Sequence, residues 1–323
     1  MTMYNLFTIN LRHIKKFLGL IILGLLLSSQ SFADKKFDKD LKKLSKFNSF
    51  INNKGESYGT DVKFDKDKTI LIIYAHGSHG KERSKEKCTR KWNKVPPAIY
   101  QLDGVSINNF TVRIYHLCYG VRGWSQFDED RFWKVYDNNK QDINSVLNLK
   151  DKKGVLLVDK TEVATRKKVM KLKVDEFIAK GFNNIVLSGH SAGAWTSLVL
   201  KSNFPNQIDG AIAFAPGRSG KFAKKKVTRK GWVNWRNYKN SLIKTDKLDK
   251  VLVYVHEKDH YESSKTVLSF LSNPRTVKLI DLSDTKYKEN FMLGGYHGIA
   301  LTKCFADEDP RNKGIAKYLE EIF

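Results

Sequence analysis

The chain has 323 residues and a formal net charge of +24, from 58 lysines and arginines against 34 aspartates and glutamates. Hydrophobic residues make up 41% of it and aromatic residues 12%, which excludes an intrinsically disordered chain despite the high charge. Three cysteines are too few for a disulfide-built scaffold, and 6 prolines with 21 glycines exclude collagen-like and low-complexity chains. The length suffices for one large hydrophobic core or two small ones.

Residues 1–33 have the pattern of a secretory signal peptide. Basic residues at 12–16 precede an apolar run at 17–27, and small residues occupy the −3 and −1 positions of a cut after Ala33. The run is about half the length that a membrane-spanning helix needs. A lipoprotein is not expected, because no cysteine lies near the cut. An uncleaved membrane anchor is the alternative. We expect a mature protein that starts at Asp34, is periplasmic or secreted, and has no integral membrane span.

Residues 34–68 are polar and charged, and they are interpreted as an irregular, partly helical lead-in. After this lead-in, short apolar runs rich in valine, isoleucine and tyrosine recur along the chain. Such runs are typical of strands that are buried on both faces of a parallel sheet. They span residues 69–75, 111–117, 184–189, 210–215, 250–256 and 276–282.

The segments between these runs include helices. In residues 164–182, apolar side chains recur at helical spacing among lysines, and Gly181 provides a C-terminal stop. Residues 194–204 and 315–323 have similar patterns. Strands that alternate with helices predict an α/β fold with a mostly parallel central sheet. Because we find no internal repeat and no linker, we expect one catalytic domain over residues 69–323.

The cysteines gain significance from the predicted export, because oxidising compartments permit disulfides. Cys88 and Cys118 each follow a predicted strand, and both are expected near the same edge of the sheet. We therefore favour a disulfide between them. The two pairings that involve Cys304 stay open, because sequence alone does not fix connectivity.

Two segments match the pattern Gly-x-Ser-x-Gly. The match at 55–59 lies in the lead-in, before every predicted strand, and is interpreted as a chance match or a turn. The match at 189–193 directly follows a predicted strand and directly precedes a predicted helix. A nucleophile elbow needs this context, because its serine occupies a tight strand-to-helix turn. Ser191 is therefore the predicted catalytic nucleophile.

A serine hydroxyl needs a base to remove its proton. Among the 8 histidines, His297 follows the last predicted strand in a glycine-flanked loop, whereas His116 and His256 end strands and are interpreted as packed. His297 is the predicted base, with a surface loop histidine as the alternative. Asp259 precedes it in the chain and is the predicted acid, which gives the order serine, acid, histidine. The competitors for the acid are Glu257, Asp246 and Asp281.

Two backbone N–H groups are expected to form an oxyanion hole. One belongs to Ala192, at the start of the helix after the elbow. The other is placed at Ser78, in the His-Gly-Ser-His-Gly loop after the first strand, with His79 as the alternative. His76 and His79 could also be metal ligands, but no acidic residue or cysteine lies near them in sequence. We therefore expect no metal.

Together these motifs resemble the α/β-hydrolase superfamily, in its esterase, dienelactone-hydrolase or peptidase branches. The resemblance rests on Tyr-Ala-His-Gly-Ser-His-Gly, Gly-His-Ser-Ala-Gly, the Asp259 loop and Gly-Gly-Tyr-His-Gly, in family order over about residues 70–323. It implies a three-layer α/β fold, a Ser-His-Asp triad, an acyl-enzyme and no cofactor. Two departures are expected: a sheet truncated at the lead-in edge, and a short cap insertion over 218–249, while the insertion at 119–160 could line the pocket.

The resulting hypothesis is an exported serine hydrolase that cleaves a carboxylic ester. A serine peptidase or amidase of the same fold is the nearest alternative, and a non-catalytic, anion-binding envelope protein is the alternative from another class. The lysines are spread along the chain without a recognition motif, so no specific nucleic-acid partner is expected. The expected partner is a small-molecule ester or amide.

The high charge itself is weak evidence for a ligand. Lysines number 46 and arginines 12, a bias that an AT-rich genome would produce, and arginine is the residue expected where an anion is gripped bidentately. Loss of three basic residues with the signal peptide lowers the charge from +24 to +21. One local cluster of seven basic residues between Arg218 and Lys230 lies at the expected rim of the site. It could favour anionic substrates or an anionic envelope surface.

Overall fold

The computed structural model of the chain describes residues 41–42, 45–77, 88, 93–118, 147–150, 154, 156, 158–217, 229–268, 271, 277–283, 295–307 and 314–323. The predicted signal peptide, Ser78, His79, and most of the 119–160 and 218–230 segments lie outside these residues. The strands are β1 (Ser49–Ile51), β2 (Ser57–Gly59), β3 (Thr69–Ala75), β4 (Ser106–Ile107), β5 (Phe110–Leu117), β6 (Asn184–His190), β7 (Gly210–Phe214), β8 (Val251–Val255) and β9 (Val277–Asp281).

The helices lie between and after these strands. They are α1 (Pro97–Tyr100), α2 (Glu162–Ala179), α3 (Ala192–Asn203), α4 (Arg229–Ser241), α5 (Ser264–Leu268), α6 (Lys303–Asp307) and α7 (Ile315–Ile322). A 3-10 helix over Gly295–Leu301 follows β9. The six predicted strands and three predicted helices are all present, and their ends differ from the predicted ones by at most three residues. None of the helices in the described ranges is long and apolar enough to cross a bilayer.

The described strands form one mixed sheet in the order β2-β1-β5-β3-β6-β7-β8-β9, and β4 pairs with β5. Neighbours from β5 to β9 along this order are parallel. At the other edge, β1 and β2 are antiparallel. The expected truncation of the sheet at the lead-in edge is therefore wrong: two strands of three residues each complete it.

The sheet is covered on both faces, which gives three layers. Along β3, alternate side chains enter two different cores, one that includes α1, α6 and α7 and one that includes α2. A third cluster packs α3 against β7 and β8. Each large aliphatic side chain buried in this way contributes roughly 1.5–3 kcal/mol. The predicted α/β architecture is confirmed, and it follows from strands with two apolar faces.

Local signals set the ends of several elements. The side chain of Thr161 accepts a hydrogen bond from the Ala164 N–H and caps the start of α2. The helix ends just before Gly181, whose φ of +94° is the left-handed conformation of a helix stop, as predicted. Gly55 also has a positive φ, of +80°, and Ser57 lies on the edge strand β2. The first Gly-x-Ser-x-Gly match therefore consists of a turn at Gly55 followed by the edge strand β2.

Cys88 and Cys118 form a disulfide, with their Cα atoms 5.6 Å apart. This confirms the favoured pairing. The bond lies beside the carboxyl end of β5, because Cys118 directly follows that strand. Cys304 lies elsewhere, in α6.

Candidate active site

Ser191 occupies the turn between β6 and α3. Its φ of +53° and ψ of −116° are rare for a residue with a side chain. Such strain persists only where the surroundings impose it. Here the Ser191 N–H donates to the Phe214 carbonyl at 2.9 Å, and its own carbonyl accepts from the Trp195 N–H at 2.9 Å. These are the context and geometry that a nucleophile elbow requires.

The elbow is packed tightly against the end of β3. A Cβ atom placed on Gly193 would lie 2.0 Å from the Ala75 oxygen and 2.9 Å from the His76 oxygen. A Cβ atom on Gly189 would lie 2.5 Å from the Gly193 carbonyl carbon. Only glycine fits at these two positions, because any side chain there would overlap main-chain atoms.

His297 and Asp259 form a buried pair. Nδ1 of His297 lies 2.6 Å from Oδ2 of Asp259, and the two residues are 8% and 6% exposed. The other carboxylate oxygen, Oδ1, accepts from the Tyr261 N–H at 2.8 Å and the Glu262 N–H at 3.4 Å. The Tyr261 ring packs 4.5 Å from the imidazole ring. The carboxylate is thus fixed in the orientation that holds the imidazole.

The four carboxylates considered as the acid differ in whether they are hydrogen-bonded to His297. Glu257 and Asp246 are exposed, and the carboxylate of Asp281 accepts from the Ser283 hydroxyl. Only Asp259, among these four carboxylates, is hydrogen-bonded to His297.

Gly217 connects Ser191 to this pair. The Ser191 hydroxyl donates to the Gly217 carbonyl at 3.4 Å, and the Gly217 N–H donates to the Ser191 carbonyl at 3.3 Å. A Cβ atom on Gly217 would lie 3.5 Å from Cε1 of His297. The hydroxyl is therefore hydrogen-bonded to Gly217 and not to His297. Catalytic hydrogen bonds are often long or misaligned without substrate and tighten in the substrate complex.

The predicted oxyanion-hole donors are described in part. Ala192 is buried and opens α3, so its N–H is one of the four that have no partner within a helix. Ser78 lies outside the described residues, but the chain is described up to Gly77. A Cβ atom on Gly77 would lie 3.2 Å from Cβ of Ser191. Gly77 therefore borders the turn that carries Ser191, and the role of Ser78 stays a prediction.

Two supporting residues were not assigned from the sequence. Nε2 of His190 donates to the His297 carbonyl at 2.8 Å, so the elbow holds the backbone of the candidate base. Arg166, in α2, donates from Nη1 to the His76 carbonyl and from Nη2 to the Gly77 carbonyl. Two sequence features could have drawn attention to them: His190 lies inside the Gly-x-Ser-x-Gly motif, and Arg166 is an arginine in a helix whose other basic residues are lysines.

A partly buried ion pair joins α4 to the loop of Asp259. Nη2 of Arg236 lies 2.7 Å from Oε2 of Glu262, and Nε lies 3.3 Å from Oε1. Glu262 is 3% exposed, and its Cγ would contact a Cβ atom on Gly217 at 3.2 Å. The helix α4, which begins at the last two residues of the basic segment, is therefore anchored next to the site.

The remaining strand-end histidines are packed, as interpreted. Nε2 of His116 donates to the Asn93 carbonyl at 3.0 Å, and burial lowers the pKa of His116 to about 4. Nδ1 of His256 accepts from the Lys258 N–H at 3.0 Å, and the His256 ring lies 4.3 Å from the Tyr296 ring. Burial also lowers the pKa of His256.

One described group brings possible metal ligands together. His76 offers a ring nitrogen within 4.8 Å of the sulfurs of Cys88 and Cys118. No sequence pattern indicates this proximity, because both cysteines are distant from His76 along the chain. Metal binding by cysteine needs thiolates, and these two sulfurs are joined in a disulfide. In this state the group does not fit a metal.

Comparisons with known proteins gave structural likeness only. No family model and no curated protein matches the chain. A structure of the metagenome-derived lipolytic enzymes LipS and LipT aligns with a TM-score of 0.43 and 10% identity, over 84% of this chain and 96% of that one. Est1E from Butyrivibrio proteoclasticus aligns with a TM-score of 0.41 and 14% identity, over 80% of this chain and 88% of that one. Oligopeptidase B from Trypanosoma brucei aligns with a TM-score of 0.44 and 12% identity, over 84% of this chain and 37% of that one.

The predicted resemblance to α/β hydrolases holds for the fold. The strand order, the parallel core of the sheet and the strained strand-to-helix turn after β6 are all present. At identities of 10–15%, the aligned structures identify no substrate and no catalytic residue of this chain.

Proposed function

We propose that the chain is an exported serine hydrolase that cleaves carboxylic esters through an acyl-enzyme. The observation that carries the proposal is the buried His297–Asp259 pair, 2.6 Å apart, next to a serine in a strained strand-to-helix turn. A hydrogen-bonded acid and imidazole close to a serine in such a turn is the arrangement that makes a hydroxyl nucleophilic.

Each of the three residues has one role in the proposed mechanism. Ser191 attacks the carbonyl carbon of the ester, and Nε2 of His297 takes the hydroxyl proton. Asp259 holds Nδ1–H of the imidazole and stabilises its charged form. The imidazolium then gives the proton to the leaving alcohol, and water repeats the sequence to release the acid.

The negative charge that develops on the carbonyl oxygen is held by backbone donors. The N–H of Ala192 is one donor, aided by the positive end of α3. The N–H of Ser78 is the proposed second donor. Both would act mainly in the tetrahedral state, so they raise kcat more than they lower KM.

An ester is the proposed substrate because an alcohol leaves more readily than an amine. Peptide and amide hydrolysis by the same residues is the alternative. Export is supported by the signal-peptide pattern of residues 1–33 and by the Cys88–Cys118 disulfide, since disulfides persist in oxidising compartments. The basic cluster between Arg218 and Lys230, followed by the anchored α4, would favour anionic substrates.

Turnover by residues 34–323 tests the proposal. The substrates are p-nitrophenyl esters of graded acyl length and aminoacyl p-nitroanilides, measured for the wild type, Ser191→Ala and Ser57→Ala. Ser57 is the matched control because it belongs to the other Gly-x-Ser-x-Gly match. We expect ester turnover that falls by at least roughly 10⁴-fold in Ser191→Ala and stays unchanged in Ser57→Ala. Faster cleavage of the anilides would make the protein an amidase, and equal activity of all three proteins would refute Ser191.

A further inference from the structure

Arg166 places a buried positive charge beside the loop that follows β3. The residue is 1% exposed. Its Nη1 donates to the His76 carbonyl at 3.1 Å, and its Nη2 donates to the Gly77 carbonyl at 3.3 Å. A buried charge is costly unless its donors are used. Here two of them are used on two successive carbonyls, 90 and 89 residues away in sequence.

These carbonyls belong to the peptide groups that carry the loop's N–H donors. The His76 carbonyl shares a peptide group with the N–H of Gly77, and the Gly77 carbonyl shares one with the N–H of Ser78. A trans peptide group is planar, and its C=O and N–H bonds point in opposite directions. A donor that fixes the carbonyl therefore fixes the direction of the N–H. Nδ1 of His76, 2.7 Å from the Gly77 oxygen, is a second contact on that carbonyl.

The same short segment borders the nucleophile. A Cβ atom on Gly77 would lie 3.2 Å from Cβ of Ser191 and 3.1 Å from Nδ1 of His190. The peptide groups that Arg166 holds are therefore next to the elbow. A guanidinium bonded to the carbonyl also polarises the peptide group, which makes its N–H a stronger donor.

We propose that Arg166 is the positioning residue of the predicted oxyanion hole: by holding the His76 and Gly77 carbonyls it fixes the orientation of the 76–77 and 77–78 peptide groups beside Ser191. Arg166 itself does not touch the substrate. This inference rests on the proposed function, because an oxyanion forms only if Ser191 attacks a carbonyl.

The test compares Arg166→Met with Arg113→Met in the hydrolase assay. Arg113 is the matched control, since its guanidinium is paired with Asp103 at 3.5 Å and lies on β5 away from the elbow. Active protein is counted by titration with a fluorophosphonate, and kcat is expressed per titrated site. We expect Arg166→Met to lose roughly 10²–10³-fold in kcat with KM nearly unchanged, because the oxyanion contact is made in the transition state. Arg113→Met should keep the wild-type kcat per site.

A second readout separates positioning from general structural damage. A trifluoromethyl ketone forms a tetrahedral adduct with an oxyanion, so its inhibition constant should rise by the same factor as kcat/KM falls in Arg166→Met. If Arg166→Met does not fold, Arg166→Lys replaces it. A single ammonium cannot bind the two carbonyls as the planar guanidinium does, so kcat per site should still fall by at least about tenfold.

The outcomes distinguish the two proposals. An active wild type with unchanged kcat per site in the folded Arg166 variant overturns the positioning role alone. A loss confined to the titratable fraction, with kcat per site unchanged, overturns that role as well. A wild type that neither turns over esters nor reacts with the fluorophosphonate overturns the proposed function, and with it this inference.

Discussion

Replacing Gly193 by alanine introduces a methyl group where the elbow meets β3. The new Cβ atom would lie 2.0 Å from the Ala75 oxygen, 2.7 Å from its carbonyl carbon and 2.9 Å from the His76 oxygen. Because ordinary contacts of this kind are near 3.5 Å, the two backbones must separate by about 1 Å or more. All three atoms belong to the main chain, so no side-chain rotation can make room.

The expected cost has two parts. Overpacking of a rigid site destabilises by about 1–3 kcal/mol, and a clash with backbone belongs at the upper end of that range. A shift of about 1 Å between nucleophile and oxyanion donors is expected to cost roughly 10²-fold in rate. Gly193→Ala should therefore unfold several degrees below the wild type and turn over esters roughly 10²-fold more slowly per titrated serine.

Thermal unfolding and kcat per titrated site measure these two effects, with Gly59→Ala as the control. No atom lies within 4 Å of a Cβ on Gly59, but its φ of +111° makes a side chain unfavourable. Gly59→Ala should thus lose about 1 kcal/mol of stability and keep its kcat. A Gly193→Ala protein with the stability and kcat of the wild type would refute the close approach of elbow and strand.

Three further predictions concern the acid, a buried histidine and the disulfide. Asp259→Asn should lower kcat by roughly 10⁴-fold, because His297 loses the carboxylate that fixes its tautomer; a loss below tenfold in steady-state assays would contradict the role. The pKa of His116 is lowered from 6.5 to about 4 by burial, so the neutral form stabilises the fold above pH 6.5 and this contribution is lost as the pH falls toward 4. Urea unfolding should show that the wild type loses about 3 kcal/mol more than His116→Gln over that range, and equal losses would contradict it. Reduction of Cys88–Cys118, which are separated by 30 residues, should cost about 3.5 kcal/mol, and unchanged urea midpoints with and without reductant would contradict that.

Most of the fold could be predicted because burial on both sheet faces leaves continuous apolar runs. The run at 69–75 is buried at every position, and it forms β3 over the same residues. The strands β1 and β2 could not be found in this way. Each has three residues within a charged segment; β1 pairs with β5, and its Phe50 packs against Tyr115 and Phe177. Their existence depends on the assembled sheet, not on a local pattern.

The candidate site likewise contains residues that the sequence predicted and contacts that it did not. The elbow was found because strand, turn and helix are consecutive in sequence. His297 and Asp259 were predicted together because the ends of parallel strands meet at one edge of a sheet. The structure places Nδ1 of His297 2.6 Å from Oδ2 of Asp259, and their catalytic roles stay predictions. The contacts of Arg166 and His190 were missed because their partners lie 90 and 107 positions away in sequence. Which long side chain reaches which carbonyl is decided by packing and not by spacing.

Covalent labelling of Ser191 is the decisive measurement. Residues 34–323 are incubated with a fluorophosphonate, digested, and the modified residue is located by mass spectrometry, with Ser57→Ala and Ser191→Ala treated in parallel. We predict one label per chain on Ser191, unaffected by Ser57→Ala, abolished by Ser191→Ala and slowed when His297 is replaced by glutamine. A wild-type chain that takes no label, or takes it on another residue, would contradict a serine hydrolase built on Ser191.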